Sequence, residues 1–173
     1  MRIIKIIFFT LISIIALIFI IGLFLPKTFH AGSSVVIDKP VGEVYDFVRI
    51  LRNQPQYDAW SRKDEKIQQN FEGFDGKVGS SYIWKSDVVG NGKQVLAKLE
   101  PNKKVEIDIY FFDDSEPNKT VFLLDEIGPN QTKVTWQIDG KTGYPMNILT
   151  YCFDMNKDFE EGVQNLKQVL EKQ

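Results

Sequence analysis

The chain has 173 residues, 43% hydrophobic and 13% aromatic, with 21 Lys and Arg against 23 Asp and Glu. Three of the basic residues (Arg2, Lys5, Lys27) fall in the first thirty positions without an acidic counterpart, so residues 31–173 carry a formal charge of −5. That balance argues against nucleic acid and anionic headgroups as partners, and a single cysteine (Cys152) with a single histidine (His30) excludes an intrachain disulfide and a zinc cluster.

Ile6–Leu25 is a run of twenty residues without a charge, broken only by the milder Thr10, Ser13, Ala16 and Gly22. At about 1.5 Å per helical residue it spans roughly 30 Å, the thickness of a bilayer's hydrocarbon core. A retained single-pass membrane anchor is expected. A cleaved secretory signal is the alternative, but its apolar region is usually shorter, about 7–15 residues. The best cleavage candidate, Ala31-Gly32-Ser33, also lies several residues beyond Pro26, which ends the run. Arg2 and Lys5 before the run outweigh Lys27 after it, which favours a cytoplasmic N-terminus and a domain on the outer, periplasmic side. An exported domain without disulfides fits a bacterial envelope. The expected division is an anchor and tether over 1–30 and one domain over 31–173.

After a tether from Pro26 to Ser33, Val35-Val36-Ile37 reads as a strand within Ser34–Asp38. Pro40 opens a helix with Val41, Val44, Val48 and Leu51 at helical spacing, followed by an irregular stretch to Trp60-Ser61. Period-two alternation then takes over: a weak strand at Ile67–Phe71, then Ser80–Lys85, Gln94–Leu99, Lys104–Phe111, Thr120–Ile127 and Thr132–Asp139. Val95, Ala97 and Leu99 share one face of the third, and Gly90-Asn91-Gly92-Lys93 before it reads as a hairpin turn. Short links between sequential strands predict antiparallel pairing with one dry face. A long helix is expected over Met146–Leu170, its stripe formed by Leu149, Phe153, Asn156, Phe159, Val163, Leu166 and Leu170.

Trp60, Tyr82, Trp84, Trp136 and Phe153 are expected on inward faces, as pocket walls or as plain packing. Asn156 interrupts the last helix's apolar stripe, where an amide needs a partner in the protein, a ligand or a water. Cys152 reads as a small hydrophobe rather than a nucleophile. His30 falls in the tether, so the domain offers no imidazole as general base or metal ligand. Glu106 and Asp108 alternate with apolar residues and belong in water, and Asp113-Asp114 reads as a loop charge pair lacking the spaced ligands of a calcium loop.

Six segments in this order carry a resemblance: Val35-Val36-Ile37-Asp38-Lys39-Pro40 with Val44-Tyr45-Asp46-Phe47-Val48; Asn53 through Ser61; Gly76 through Tyr82 with Trp84; Glu100 through Val105; Thr132 through Trp136; and Phe159 through Lys167. Together they resemble the START-like superfamily, also called SRPBCC, which includes polyketide cyclases and lipid-transfer domains. The resemblance implies an α+β helix-grip fold, a curved antiparallel sheet around the long C-terminal helix with a cavity between them. It further implies that this cavity takes a hydrophobic or amphipathic small molecule; joined to the apolar run, this gives a membrane-anchored binding module for a lipid-like ligand, with Trp60, Tyr82, Trp84, Trp136, Phe153 and Asn156 as the candidate contacts. No cofactor, metal or catalytic residue is implied. A cyclase or hydratase on the same fold, or an envelope scaffold with a filled cavity, are the alternatives.

Overall fold

The computed structural model describes residues 2–112 and 115–173. The Asp113-Asp114 pair lies outside the described residues. The chain forms two compact units: residues up to Phe29 with Lys141–Asp154, and His30–Gly140 with Met155–Gln173.

In the first unit, α1 (Arg2–Phe24) is long and apolar enough to cross a membrane. Its side chains point outward, and Gly22 is its one buried residue. A Cβ there would stand 2.7 Å from Ile148 Cδ1, so the missing side chain admits a close neighbour. That neighbour belongs to a 3-10 helix, Met146–Tyr151. The buried Asn147 donates from Nδ2 to the carbonyls of Gly22 (2.8 Å) and Leu25 (3.2 Å), groups at a helix end that have no partner within the helix. The single long helix expected over Met146–Leu170 is therefore two elements. The chain leaves helical geometry at Cys152–Asp154 and restarts after Asp154, a residue type favoured just before a helix.

The second unit is built on a seven-stranded antiparallel curved sheet and α3, the helix-grip α+β fold. Its strands are β1 (Thr28–Ile37), β2 (Gln68–Glu72), β3 (Ser81–Lys85), β4 (Gly92–Glu100), β5 (Lys104–Phe111), β6 (Asn118–Gly128) and β7 (Gln131–Lys141), in the order β1-β7-β6-β5-β4-β3-β2. Between β1 and β2 lie α2 (Val41–Val48) and a 3-10 turn, Leu51–Gln56. The last element, α3 (Met155–Glu171), buries Phe159, Val163, Leu166 and Leu170. These recur at three- and four-residue steps, which places them on one helix face.

Two expectations need correction. The tether is shorter than expected, because β1 begins at Thr28 and gains a ladder partner in β7. His30 is accordingly part of a strand, with Nδ1 2.8 Å from Asp139 Oδ1. In β4 the buried side is Gly92, Gln94 and Leu96, while Val95 and Ala97 are half-buried on the other side. Register explains this: Gln94 lies opposite Tyr82 of β3 and Ile109 of β5, and directly opposed residues share a face. The β3–β4 link is closed by Asn91, whose Oδ1 accepts the Ser86 N–H at 3.1 Å.

Candidate functional site

The second unit holds a cavity of about 130 Å³ between the concave sheet and the start of α3. One wall is an aromatic cluster centred on Trp136. Its indole stacks on Phe122, the register partner on β6, with centroids 4.9 Å apart. It meets Tyr57, Trp60 and Phe159 edge-on at 5.6, 5.9 and 5.0 Å. Such edge and offset contacts suit the ring quadrupoles. Trp136 Nε1–H donates to Thr120 Oγ1 (3.1 Å), whose hydroxyl donates onward to the Gln137 carbonyl (2.9 Å). Gly162 of α3 makes this packing possible, since a Cβ there would lie 2.6 Å from Trp136 Cζ3. The opposite wall comes from β3, where Tyr82 stacks on Phe71 at 4.8 Å and tilts against Trp84 at 5.5 Å.

Polar side chains also line this space: Gln54, Asp58, Ser61, Gln94 and Thr120. Asp58, 2% exposed, follows the 3-10 turn and closes a tight loop: one carboxylate oxygen accepts the Ser61 N–H (2.6 Å), the other the Ser61 hydroxyl (2.7 Å). The Ser61 oxygen stands 3.5 Å from Tyr82 Oη, at the limit of a hydrogen bond. Burial pushes the Asp58 carboxyl above the usual aspartate range, and the two Ser61 bonds offset part of that rise. Burial likewise pushes the Tyr82 phenol up to about 12, so it is protonated at neutral pH. Gln54 and Gln94, 4% and 5% exposed, also line the cavity, and the Oε1 atom of each lacks a hydrogen-bond partner. A buried acceptor left unmet costs about 1–3 kcal/mol.

Of the six residues expected at a ligand site, Trp60, Tyr82, Trp84 and Trp136 line the cavity. Phe153 does not: it is 67% exposed and belongs to the other unit, because the chain breaks before α3. Asn156 does not either: it is exposed in the first turn of α3, and its Oδ1 accepts the Gly32 N–H at 3.1 Å. The buried amide of this helix is Asn165, which donates to the Tyr57 carbonyl at 3.2 Å. Asp58, Ser61, Gln54, Gln94 and Thr120 escaped sequence reasoning as site residues. The Asp58-x-x-Ser61 spacing was a usable signal for a side-chain-closed turn, and the opposition of Gln94 to Tyr82 would have been the signal for Gln94. Among the described residues no group of three or more His, Cys, Asp or Glu is placed to hold a metal ion.

This architecture, a curved antiparallel sheet with a cavity beneath it and a C-terminal helix, is the helix-grip α+β fold. No family description and no curated protein matches the chain by sequence. Solved structures do match its fold. Norcoclaurine synthase of Thalictrum flavum, solved as a point mutant with a transition-state analogue, aligns with a TM-score of 0.62 at 6% identity, over 84% of this chain and 95% of that one. The Aha1 dimer of Colwellia psychrerythraea aligns with a TM-score of 0.58 at 18% identity, over 83% and 96%. A structural-genomics protein of Mesorhizobium loti aligns with a TM-score of 0.59 at 15% identity, over 83% and 98%. At these identities the likeness concerns the fold alone.

Proposed function

We propose that the protein is a binding module that holds a small, mostly apolar molecule carrying hydrogen-bond donors, and that α1 is retained as its membrane anchor. One observation supports the ligand reading above others: Gln54 and Gln94 line an aromatic cavity, and the buried Oε1 of each has no hydrogen-bond partner in the protein. A side chain that simply filled the core would be apolar there; two acceptors suit a ligand's O–H or N–H groups. The volume narrows the ligand. About 130 Å³ is close to the ~150 Å³ engineered cavity that takes benzene, and below the ~300–1,000 Å³ of drug-sized sites. The lipid-like ligand expected from the resemblance thus becomes a ring-sized molecule, or the ring-sized part of a larger one. Arg2 and Lys5 ahead of the apolar run favour a cytoplasmic N-terminus and a domain outside the membrane.

Titration of the detergent-extracted chain with phenol, indole and toluene, followed by tryptophan fluorescence and calorimetry, tests this reading. Phenol and indole are expected to bind more tightly than toluene. Failure of all three, together with native mass spectra free of any co-purifying molecule, refutes it.

Two other readings have an observation each. The buried Asp58–Ser61–Tyr82 set lines the cavity and contains a carboxyl and a phenol, groups used in acid–base chemistry, which favours a cyclase or hydratase. On that reading Tyr82→Phe abolishes turnover and spares binding. The small volume favours an envelope scaffold, and a cavity found occupied in extracted protein excludes it.

A further inference from the structure

The segment after β7 has a property its neighbours lack. From Gly143 to Phe153 it contains no charged residue, although Lys141 and Asp154 flank it closely. Tyr144, Met146, Leu149, Tyr151 and Phe153 are 40–67% exposed, a dense set of large apolar side chains for so short a stretch. Its polar groups turn inward: Asn147 donates to the Gly22 and Leu25 carbonyls, and the Thr150 hydroxyl donates to the Asn147 carbonyl at 2.8 Å. Tyr144 also meets Phe19 of α1 edge-on, with centroids 6.2 Å apart.

We infer that residues 143–153 form a second membrane contact, lying in the interface of the same bilayer leaflet through which α1 emerges. The inference rests on the proposed reading of α1 as a retained anchor. A helix of 23 residues spans about 34 Å, slightly more than the ~30 Å hydrocarbon core, so the turn around Gly22 reaches the headgroup boundary. Asn147 is hydrogen-bonded to that turn, which brings the 3-10 helix to the same depth. Tyrosines and other amphipathic aromatics are enriched at this level. The partner is the apolar–polar boundary of the lipid rather than its charge, because the segment carries none. Continuity with the apolar surface of α1 favours lipid over a protein partner.

Cys152, the only cysteine and exposed, permits a direct test in the full chain. A nitroxide on Cys152 is measured in phosphatidylcholine vesicles for collision with oxygen and with a water-soluble nickel complex. Two reference labels are placed in a Cys152→Ser background, at Ile12→Cys in α1 and at Asp87→Cys in an exposed turn. The expected result is a Cys152 label between the two references, less open to nickel than Asp87→Cys and less open to oxygen than Ile12→Cys. Nickel access equal to that at Asp87→Cys, with Ile12→Cys still shielded, overturns the inference and leaves the anchor reading intact. Nickel access at Ile12→Cys as well removes the anchor reading and this inference together. Shielding of Cys152 from both reagents, with spin–spin broadening, indicates a second copy on this face and also overturns it. In the Leu149→Asp/Phe153→Asp double variant, nickel access at Cys152 is expected to rise to the aqueous level while the chain stays in the vesicles; unchanged access contradicts the proposal.

Discussion

The six-membered ring of Trp84 lies over the Cα of Gly92, its register partner across β3 and β4, so closely that a Cβ on Gly92 would stand 2.5 Å from Cη2. A rigid indole cannot yield locally as the end of a flexible side chain can, so the ring or the strand must shift. Gly92→Ala is therefore expected to cost about 1–3 kcal/mol of stability, the usual penalty of overpacking. Urea unfolding measures it, and a shift in tryptophan emission should accompany it. An unchanged midpoint would show that the wall is softer than its geometry indicates.

Gln54 and Gln94 predict opposite effects on stability and on binding. Gln54→Met or Gln94→Met keeps similar volume and removes a buried acceptor that lacks a partner. Each is expected to raise the stability of the ligand-free protein, by up to about 1–3 kcal/mol, and to weaken phenol binding relative to toluene. Such a trade-off is characteristic of groups kept for function. Thermal melts with and without phenol distinguish the two effects. Variants that lose stability and keep phenol preference contradict the site.

Thr120 serves the aromatic wall from below. Thr120→Val leaves the buried Trp136 N–H without its acceptor at nearly the same side-chain shape. A loss of about 1–3 kcal/mol is expected. Thr120→Ser should recover most of it, because the hydroxyl returns even though the methyl does not. Denaturant melts of the pair separate the hydrogen bond from packing.

Asp58 predicts a pH dependence. Burial makes its carboxyl hold a proton more tightly in the folded chain than in the unfolded one. Between the ordinary aspartate value of about 3.9 and the raised folded value, the folded state therefore binds more protons. The stability Asp58 contributes is complete below that window and is lost as the pH rises through the folded value. Asp58→Asn removes the titrating group while its Oδ1 can still accept the Ser61 N–H. Melting temperatures across this range should fall less steeply in the variant. Parallel curves for the two proteins would assign the pH dependence to other groups.

Local pattern alone was enough for much of this protein. The uncharged run Ile6–Leu25 defined α1, since its composition admits a helix and little else. Alternation of Val105, Ile107 and Ile109, and of Val134, Trp136 and Ile138, placed the inner faces of β5 and β7, because side-chain direction in a strand repeats every two residues. The same rule put Tyr82 and Trp84 on the cavity wall. It failed for β4, whose inner face holds a glycine and a glutamine; cross-strand register with Tyr82 and Ile109 outweighed the apolar alternation of Val95 and Ala97. The helical stripe failed between residues 146 and 156, where the break before Met155 left Phe153 and Asn156 outside the core and gave the buried-amide position to Asn165. The inward placement of Asp58, Gln54 and Gln94 was likewise a tertiary matter. Whether a polar side chain can be buried depends on partners and walls supplied by segments far away in sequence, and no local period encodes them.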